Sequence, residues 1–424
     1  MLSNLLLIAI LLPNLTLAGQ PLVSTGQIQQ WMNDSHIPGL SMIVMNQHQI
    51  LYQDSLGYAG YNYDSETDRV IGFSTQNDNI YMIGSITKTI TCISVMQLVE
   101  RGLINLDDDI NKYLPLPIVN PYYSNETITM RHLLTHTSSI GTTHPGLSVL
   151  PNDQYSTINF TNFIYGALLE GGPFYSEFSW LKVHVGKEYH YSNLGTSLAG
   201  LIVEIVSNMD FKAFTTKYLF EPLNMSSDTF WLIDSLNTRQ KQLLTNHHLF
   251  NASIDDFRFF FPFLKFSEFF IDSEPLSNIS WINVTERFGL LMHPAGQLRT
   301  SVTSLAKHLL MFINNGTYNG IQILKSETVN EIKKIQFHTS TSLKVGLIYT
   351  YFDFKITKMR TVLGHNGGFI GVNSWMLMNP DTNIGVIVLS NGDVVNFNQY
   401  QSNKVTTALI TITNYLFDIF ETTA

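Results

Sequence analysis

Strand-like runs of apolar residues occur towards both ends of the chain. Near the N-terminus, Leu40 to Met45 and Ile50 to Tyr58 flank the polar stretch Asn46 to Gln49, a pattern typical of a β-hairpin. Turn-rich segments separate four further runs near the C-terminus: Lys344 to Phe354, Arg360 to Leu363, Asn373 to Met378 and Ile384 to Leu389. These four runs predict an antiparallel meander.

Helical spacing of apolar residues predominates between the two groups of strands. Their recurrence every three to four residues predicts helices at Ile86 to Arg101, Leu194 to Asn208 and Ser304 to Asn314. Glycines just after the first and third of these helices are typical helix ends. The final part of the chain, Val405 to Phe420, is predicted to be a further helix that lies on the sheet.

Together these elements predict an α/β fold of the α+β type. We expect strands from about residues 38–83 and 340–424 to join in one antiparallel sheet flanked by helices, with a mostly helical region of about residues 84–339 inserted between them. The chain has 424 residues, of which 44% are hydrophobic and 13% charged. This size and composition suit one elaborated globular domain over residues 19–424.

Composition excludes several functional classes. The net charge is −9, from 33 acidic residues against 24 lysines and arginines, so nucleic acid is not an expected partner. The single cysteine, Cys92, excludes an internal disulfide, and its apolar helical neighbours predict a small buried side chain. No run after the N-terminus is long and apolar enough to predict a stable membrane span.

The N-terminus predicts a signal peptide over residues 1–18. The apolar run from Leu5 to Leu12 precedes Thr16 to Ala18, where small residues suit signal peptidase, although no Lys or Arg precedes the run. Sequons for N-glycosylation begin at Asn33, Asn125, Asn159, Asn224, Asn251, Asn278, Asn283 and Asn315. We therefore expect a protein that is secreted or that resides in the lumen of an acidic secretory organelle. The sequence leaves its oligomeric state open.

Two segments have no assigned chemistry. Residues Phe257 to Phe270 are dense in phenylalanine, which predicts either an insertion whose rings pack on the helical region or an apolar wall over a substrate cleft. The adjacent pair His247 and His248 is predicted to lie at the surface.

Candidate chemistry begins with Ser85 and Lys88. Residues three apart share a helix face, so this Ser-x-x-Lys tetrad brings a hydroxyl beside an amine. The tetrad recurs at Ser179 to Lys182 and at Ser304 to Lys307, but the first lacks a convincing helix and helix capping explains the second. Ser85 follows a strand-like run and Gly84, and it opens an apolar helix whose N-terminus favours developing negative charge.

Lys88 can act as a base only in its neutral form. The reference pKa of lysine, near 10.4, leaves the amine charged at neutral pH, so the site must lower this pKa by about three units, at a cost of roughly 4 kcal/mol. Burial in the apolar helix and the positive helix end are able to supply that shift. The structural alternative is a solvated or salt-bridged lysine.

Two further motifs follow in order along the chain. Tyr191-Ser192-Asn193 precedes a helix, and His365-Asn366-Gly367-Gly368 follows a strand. With the tetrad at Ser85, they make the chain resemble the serine β-lactamase-like and penicillin-recognising hydrolases, in the class C-type branch, whose motifs are Ser-x-x-Lys, Tyr-x-Asn and Lys-Thr-Gly or His-x-Gly. The similarity extends to Arg131–Ser138 and Pro294–Leu298 and so covers most of residues 25–415.

The resemblance implies a role for each residue of the first two motifs. Ser85 is the acylated nucleophile, Lys88 shares its proton, and Tyr191 is the second acid/base group. A phenol works well as a base only beside a cation that stabilises the phenolate, and Lys88 is the candidate cation. Asn193 would hold the substrate amide or orient Lys88, with a turn or helix-cap role as the alternative.

The third motif completes the implied site. His365 would face the cleft from an edge strand, and Gly367 and Gly368 would let the substrate approach closely. The N–H groups of Ser85 and Gly368 would form the oxyanion hole. Imidazole is mostly neutral at pH 7, whereas lysine in its place attracts carboxylates, so we expect esters or uncharged amides as substrates.

The expected function is that of a secreted serine hydrolase that needs no metal or cofactor. Its substrate would be a small-molecule or peptide acyl compound, as for an esterase, a D-peptidase or a β-lactamase-like enzyme. The alternative is a catalytically silent member that uses the fold for binding or assembly. His132 and His136 have a spacing that metal sites use, but Leu133 stands where a zincin needs Glu, which favours structural hydrogen bonding.

Overall fold

The computed structural model describes ten stretches of the chain. They are residues 22–64, 69–142, 149–151, 158–250, 281–284, 288–339, 343–354, 358–369, 371–393 and 403–421. The signal-like segment and Phe257–Phe270 lie outside these residues. Within them, no single helix combines the length and apolarity of a membrane span, and Asn193–Ser207 with Phe211–Phe220 meet that test only as a pair bent by 79°.

The described residues contain both helices and strands. The helices are α1 (Thr25–Asp34), α2 (Thr87–Glu100), α3 (Met130–Leu134), α4 (Phe160–Leu168), α5 (Asn193–Ser207), α6 (Phe211–Thr215), α7 (Thr238–Leu243), α8 (His293–Gly296), α9 (Val302–Ile313), α10 (Ser326–Lys333) and α11 (Asn403–Glu421). A π-helical turn, Thr216–Phe220, continues α6, and 3-10 turns lie at Gly84–Ile86, Ile110–Lys112 and Ile233–Ser235. The strands are β1 (Gly39–Met45), β2 (Ile50–Asp64), β3 (Arg69–Ser74), β4 (Ile80–Met82), β5 (Val149–Pro151), β6 (Thr229–Phe230), β7 (His247–Phe250), β8 (Trp281–Val284), β9 (Phe288–Leu290), β10 (Arg299–Ser301), β11 (Thr317–Tyr318), β12 (Ile321–Gln322), β13 (Phe337–His338), β14 (Lys344–Val345), β15 (Thr350–Phe354), β16 (Arg360–Phe369), β17 (Val372–Met378), β18 (Gly385–Ser390) and β19 (Gly392–Asp393).

A nine-stranded antiparallel sheet forms the centre of the protein. Its strand order is β13-β14-β15-β16-β17-β18-β1-β2-β3. The N- and C-terminal parts of the chain meet where β1 pairs with β18, with Leu40 opposite Ser390. The predicted α+β fold class, with strands from both ends of the chain in one sheet, is confirmed.

Alternating side chains of β1 divide the apolar interior into two cores. Ile43 and Met45 belong to the core that includes α2 and α9, whereas Leu40, Met42 and Val44 belong to the core that includes α1 and α11. Burying one such side chain contributes about 1.5–3 kcal/mol. The last helix therefore lies on one face of the sheet, as predicted, and the helices that carry the candidate chemistry lie on the other.

Helix boundaries follow signals in the sequence. Helix α2 is followed by Gly102 with a φ of +69°, and α5 ends at Asn208, whose φ of +53° is also left-handed. Ser192 and Ser301 cap α5 and α9, because each side chain accepts the backbone N–H of the residue three positions further on. These signals explain why the predicted and observed helix ends agree closely.

The run Lys344 to Phe354 is not the single strand that its pattern predicted. It divides into β14 and β15 around a turn in which Gly346 N–H donates to Tyr349 O at 2.8 Å and Ile348 has a φ of +66°. Ile348 N–H in turn donates to Leu134 O, at the end of α3. Because the turn residues are apolar and buried, this turn has the same hydrophobic signature as a strand.

The prediction of a surface pair at His247 and His248 was wrong. Their exposed fractions are 2% and 1%, because β7 lies between β19 and β8 in a small three-stranded sheet. The inserted region thus contains strands as well as helices. One of these strands, β10, pairs with β4, and this pairing ties the inserted region to the segment that precedes Ser85.

Candidate active site

Ser85 lies where a buried strand leads into helix α2. Strand β4 ends at Met82, Gly84 has a left-handed φ of +52°, and a 3-10 turn over Gly84–Ile86 continues into α2 at Thr87. The left-handed conformation favours glycine at position 84. The turn places Ser85 at a helix N-terminus, where backbone N–H groups and the helix dipole stabilise negative charge.

The Lys88 side chain is fully buried. Its Nζ lies 2.9 Å from Ser85 Oγ and donates a hydrogen bond of 2.6 Å to Ala295 O. Burial lowers the pKa of Lys88 well below the ordinary lysine value, because desolvation disfavours the ammonium form. The site therefore favours the neutral amine that a general base requires.

Sequence reasoning missed the carbonyl of Ala295. This residue lies in α8, which α2 contacts through a 2.7 Å hydrogen bond from Thr91 Oγ1 to Pro294 O. The carbonyl fixes the position of the Lys88 amine without adding a charged partner. A backbone acceptor has no side-chain signature, so only the family-like segment Pro294–Leu298 pointed towards it.

Tyr191 reaches the same hydroxyl from the segment that precedes α5. Its Oη donates a hydrogen bond of 2.6 Å to Ser85 Oγ. Lys88 Nζ lies 4.7 Å from the centroid of the Tyr191 ring. The tyrosine is 43% exposed, so it borders the open side of the site while its hydroxyl contacts the serine. Two distant segments of the chain thus bring a hydroxyl, an amine and a phenol together.

Burial of its hydroxyl end raises the pKa of Tyr191 above the ordinary tyrosine value, although the hydrogen bond to Ser85 acts in the opposite direction. The resting group is therefore a neutral phenol. Burial also disfavours the charged form of Lys88, so the cation that the sequence offered to stabilise a Tyr191 phenolate is disfavoured here. A neutral phenol at this position is suited to donate a proton.

Strand β16 packs directly against the turn that holds Ser85. A Cβ on Gly367 would lie 2.0 Å from Ile83 O and 3.2 Å from Ser85 N, so this contact requires glycine. The space that Gly367 leaves is filled by the chain's own backbone, whereas we had expected it to admit substrate. The nearest atom to a Cβ on Gly368 would be Val372 O at 4.0 Å, so that residue borders open space.

The same packing brings the two expected oxyanion donors into neighbouring segments. A Cβ on Gly84 would lie 3.0 Å from Gly368 N, just as one on Gly367 would lie close to Ser85 N. Oxyanion holes are built from such paired backbone N–H groups beside a nucleophile. The joint role of Ser85 N–H and Gly368 N–H stays a prediction.

His365 lies in β16, which is an interior strand and not the edge strand that we expected. Its pairing with β15 ends at Gly364, so in the described chain β16 pairs only with β17 from His365 onward. The His365 ring is buried, and its centroid lies 6.3 Å from that of Tyr191. Burial, aided by Lys88, lowers the pKa of His365 to about 3. The imidazole is therefore neutral at pH 7.

Asn193 is the first residue of α5 and is half-buried. The cap of this helix is Ser192, whose Oγ accepts the N–H of Gly195 at 2.8 Å. Capping therefore does not explain the asparagine. Two residues after Tyr191 in the chain, Asn193 stays a predicted substrate-binding residue.

The other two Ser-x-x-Lys tetrads have structural partners. Ser179 Oγ accepts the N–H of Ser176 at 3.0 Å within a turn. Ser304 donates to Asp228 Oδ1 at 2.5 Å at the start of α9, and Lys307 donates to a backbone carbonyl. These hydroxyls and this amine serve turn and helix structure, as the sequence indicated.

His132 and His136 each bind the backbone. His132 Nδ1 accepts the N–H of Thr129 at 3.2 Å in the capping box of α3, and His136 Nδ1 accepts the N–H of Ser192 at 3.2 Å. The structural hydrogen bonding that the sequence favoured for this pair is confirmed. In the stretches that the structure describes, no group of three His, Cys, Asp or Glu side chains is arranged to hold a metal ion.

Sequence comparisons relate these residues to known proteins. A family model described as Beta-lactamase matches residues 25–405. Protein flp of Staphylococcus aureus (strain N315) is 24% identical over 364 residues, which cover 86% of this chain and 61% of that protein. Beta-lactamase-like protein 4 of Dictyostelium discoideum is 29% identical over 181 residues, 40% of this chain and 30% of that protein. The chain thus spans about three fifths of the length of its staphylococcal relative.

Solved structures share the fold. The D-amino acid amidase from Ochrobactrum anthropi SV3 complexed with D-phenylalanine has a TM-score of 0.69 at 18% identity, covering 93% of this chain and 99% of that one. The octameric penicillin-binding protein homologue from Pyrococcus abyssi has a TM-score of 0.63 at 21% identity, covering 93% and 78%. A class C β-lactamase from Rhodobacter sphaeroides has a TM-score of 0.60 at 17% identity, covering 91% and 98%. These likenesses establish a β-lactamase/DD-peptidase-like fold, and with a family model that matches most of its length the chain belongs to the β-lactamase family.

Proposed function

We propose that this chain is a serine hydrolase that forms an acyl-enzyme on Ser85. One observation carries the proposal: Ser85 Oγ lies 2.9 Å from Lys88 Nζ and 2.6 Å from Tyr191 Oη. Both distances are within the range that proton transfer requires. The hydroxyl can give its proton to the neutral amine, and the neutral phenol can give a proton to the leaving group. Nucleophilic acyl transfer needs both of these proton transfers.

In the acylation step, Lys88 accepts the proton of Ser85 as Oγ attacks the acyl carbon. The ammonium that forms donates to Ala295 O, and it lies over the Tyr191 ring, whose negative face stabilises a cation. The oxyanion accepts hydrogen bonds from the N–H groups of Ser85 and Gly368. Tyr191 then protonates the leaving group. The Lys88 ammonium passes its proton to the Tyr191 oxygen, so that the neutral amine and the neutral phenol form again.

Deacylation uses the same groups with water as the nucleophile. Water attacks the ester carbonyl of the acylated Ser85 and gives a proton to the Lys88 and Tyr191 pair. Ser85 Oγ takes a proton back from this pair as the ester bond breaks. The free acid leaves, and each group returns to its resting protonation state.

We propose esters or uncharged amides as the substrate class. His365, with a pKa of about 3, is neutral at pH 7, and burial favours the neutral form of Lys88. These two basic groups therefore offer no fixed cation to a substrate carboxylate. Structural neighbours named as an amidase and a β-lactamase fit hydrolysis of an acyl bond.

Active-site labelling tests the nucleophile. The variant Ser85→Ala is expected to abolish stoichiometric labelling by a fluorophosphonate probe. The control is Ser94→Ala, which removes a hydroxyl that donates to Ile90 O within the same helix; it should label like the wild type. Stoichiometric labelling of the Ser85 variant would place the nucleophile elsewhere. Absence of any adduct with folded wild-type protein would favour a silent binding or assembly member.

A substrate panel tests the proposed class. We expect a higher kcat/KM for p-nitrophenyl butyrate than for a D-amino-acid p-nitroanilide or a chromogenic cephalosporin. The variant His365→Lys should raise kcat/KM for a carboxylate-bearing p-nitrophenyl ester, relative to the neutral ester, by about tenfold, or about 1.4 kcal/mol. An unchanged ratio would show that position 365 does not select against carboxylates.

We propose a secretory route, with an acidic secretory organelle as the alternative destination to release from the cell. Helix α1 begins at Thr25, so cleavage after Ala18 would leave every described element intact. N-terminal sequencing of the protein from its source is expected to start at Gly19. Recovery of mature protein that retains residues 1–18 would contradict cleavage.

A further inference from the structure

We propose that His136 is a positioning residue that holds the Tyr191 hydroxyl over Ser85. The inference depends on the proposed function, because it requires Tyr191 to act at Ser85. The sequence marked His136 as half of a metal-like pair and as part of the family-like segment Arg131–Ser138, without assigning it a role. In the structure its backbone and its ring together contact the four consecutive residues from 189 to 192.

His136 bonds the chain on both sides of Tyr191. Its backbone carbonyl accepts the N–H of His190 at 2.8 Å. Its ring Nδ1 accepts the N–H of Ser192 at 3.2 Å. The two bonds hold the backbone before and after the tyrosine, and so they fix the direction in which its side chain leaves the chain.

The end of helix α3 fixes the backbone of His136. Its φ of +56° lies in the left-handed region, which helices commonly adopt just after their last turn. The bonds of such a helix end are both present, because His136 N–H donates to Leu133 O at 3.4 Å and Thr137 N–H donates to His132 O at 2.9 Å. The carbonyl and the ring that contact the Tyr191 segment therefore project from a fixed backbone.

The imidazole also packs on the tyrosine ring. The ring centroids of His136 and Tyr191 lie 4.6 Å apart with an interplanar angle of 43°. The Tyr189 ring meets the same imidazole edge-on, at 5.7 Å and 86°. The histidine is 2% exposed, so the ring has little room to move. The phenol that it supports ends 2.6 Å from Ser85 Oγ, where a displacement of about 1 Å costs on the order of 10²-fold in rate.

The tautomer of His136 follows from its hydrogen bond. Because Nδ1 accepts a backbone N–H, the proton of the neutral ring is on Nε2. Burial, with Lys88 and His365 nearby, lowers the pKa of His136 well below the usual value. A neutral ring allows Lys88 to become an ammonium during turnover without a second cation beside it.

Three variants separate these contacts, with p-nitrophenyl butyrate as the probe. His136→Phe keeps a ring but lacks the Nδ1 acceptor, and it should lower kcat by about 10²-fold with little change in KM. His136→Asn keeps an acceptor at the δ position and tolerates a left-handed φ, so it should regain at least about tenfold of that loss. The control His132→Asn alters a ring whose Nδ1 also accepts a backbone N–H, and it should keep the wild-type kcat.

A double-mutant cycle decides whether His136 acts through the tyrosine. In a Tyr191→Phe background, His136→Phe should lower kcat by less than about threefold, because the hydroxyl that it positions is already absent. An equal loss in both backgrounds, or a loss confined to KM, would overturn the proposal. Full activity of Tyr191→Phe alone would instead reject the proposed function.

Wild-type protein supplies a readout that does not depend on the folding of any variant. Nitrogen-15 NMR of histidine-labelled protein at pH 7 should show His136 as the neutral Nε2–H tautomer with a hydrogen-bonded Nδ1. A protonated ring or an Nδ1–H tautomer would overturn the proposal, because neither can accept the N–H of Ser192.

Discussion

Two helices of this chain begin at a Ser-x-x-Lys tetrad, and their surroundings differ. At the start of α2, Lys88 is fully buried and its amine lies 2.9 Å from Ser85 Oγ. At the start of α9, Lys307 is only partly buried and donates to a backbone carbonyl, while Ser304 donates to the carboxylate of Asp228. The same Ser-x-x-Lys motif thus has two different sets of partners.

The difference shows that neighbours decide what a serine and a lysine can do. A carboxylate such as that of Asp228 accepts a charge-assisted hydrogen bond from the serine hydroxyl, and this bond stabilises the serine in its protonated form. An apolar environment with one backbone acceptor, Ala295 O, instead favours a neutral amine beside Ser85. The motif places a hydroxyl beside an amine, and burial of the amine favours the neutral form that can accept a proton.

The largest expected effect that tests this contrast is kinetic. Lys88→Met should lower kcat for a p-nitrophenyl ester by about 10²–10⁴-fold, because it removes the group that accepts the Ser85 proton. The matched variant, Lys307→Met, removes the amine of the second tetrad and should leave kcat within about twofold of the wild-type value. Thermal unfolding of both variants checks that each is folded. Near-normal turnover of the Lys88 variant would reject the proton relay.

Much of the fold could be predicted because its signals are local. Apolar spacing located the helices, and Asn208 and Ser301 end or begin helices through their own backbone or side-chain geometry. The errors arose where distant packing decides the outcome. The buried turn at Ile348 packs against α3, and His247 is buried by strands from two other parts of the chain. A local pattern contains no information about such neighbours.

The candidate site likewise contains groups that the sequence could identify and groups that it could not. Side-chain motifs identified Ser85, Lys88 and Tyr191, whose hydroxyl, amine and phenol the structure brings together. The Ala295 carbonyl has no side-chain signature, and the left-handed backbone of His136 has no composition signal, so only the structure reveals them. The sequence offered Lys88 as a cation that would stabilise a Tyr191 phenolate, but burial favours the neutral form of both side chains.

A smaller effect is expected in the pH dependence of stability. Burial lowers the pKa of Lys88 well below 10.5, so between that lowered pKa and 10.5 the unfolded chain binds one proton more than the folded chain at this position. Stability rises with pH wherever the unfolded state binds more protons. As the pH rises through this range towards 10.5, the free energy of unfolding of the wild type should therefore rise relative to Lys88→Met, with a limiting slope of about 1.4 kcal/mol per pH unit.

Equilibrium denaturation at a series of pH values measures this slope. Subtracting the curve of the Lys88→Met variant removes contributions from the other titrating groups. A flat line would show that the Lys88 amine stays protonated in the folded protein, and the general-base role would then fail.

The smallest expected effect is on the second tetrad and concerns stability alone. Asp228→Asn removes the charge that accepts hydrogen bonds from Ser301 and Ser304, and it should lower the free energy of unfolding by about 1–2 kcal/mol. Ester turnover should stay at the wild-type level, because these hydroxyls serve the start of α9. Denaturant unfolding and a kcat measurement on the same sample check both statements. A loss of kcat at unchanged stability would mean that the second tetrad contributes to the reaction, and the contrast between the two helices would no longer hold.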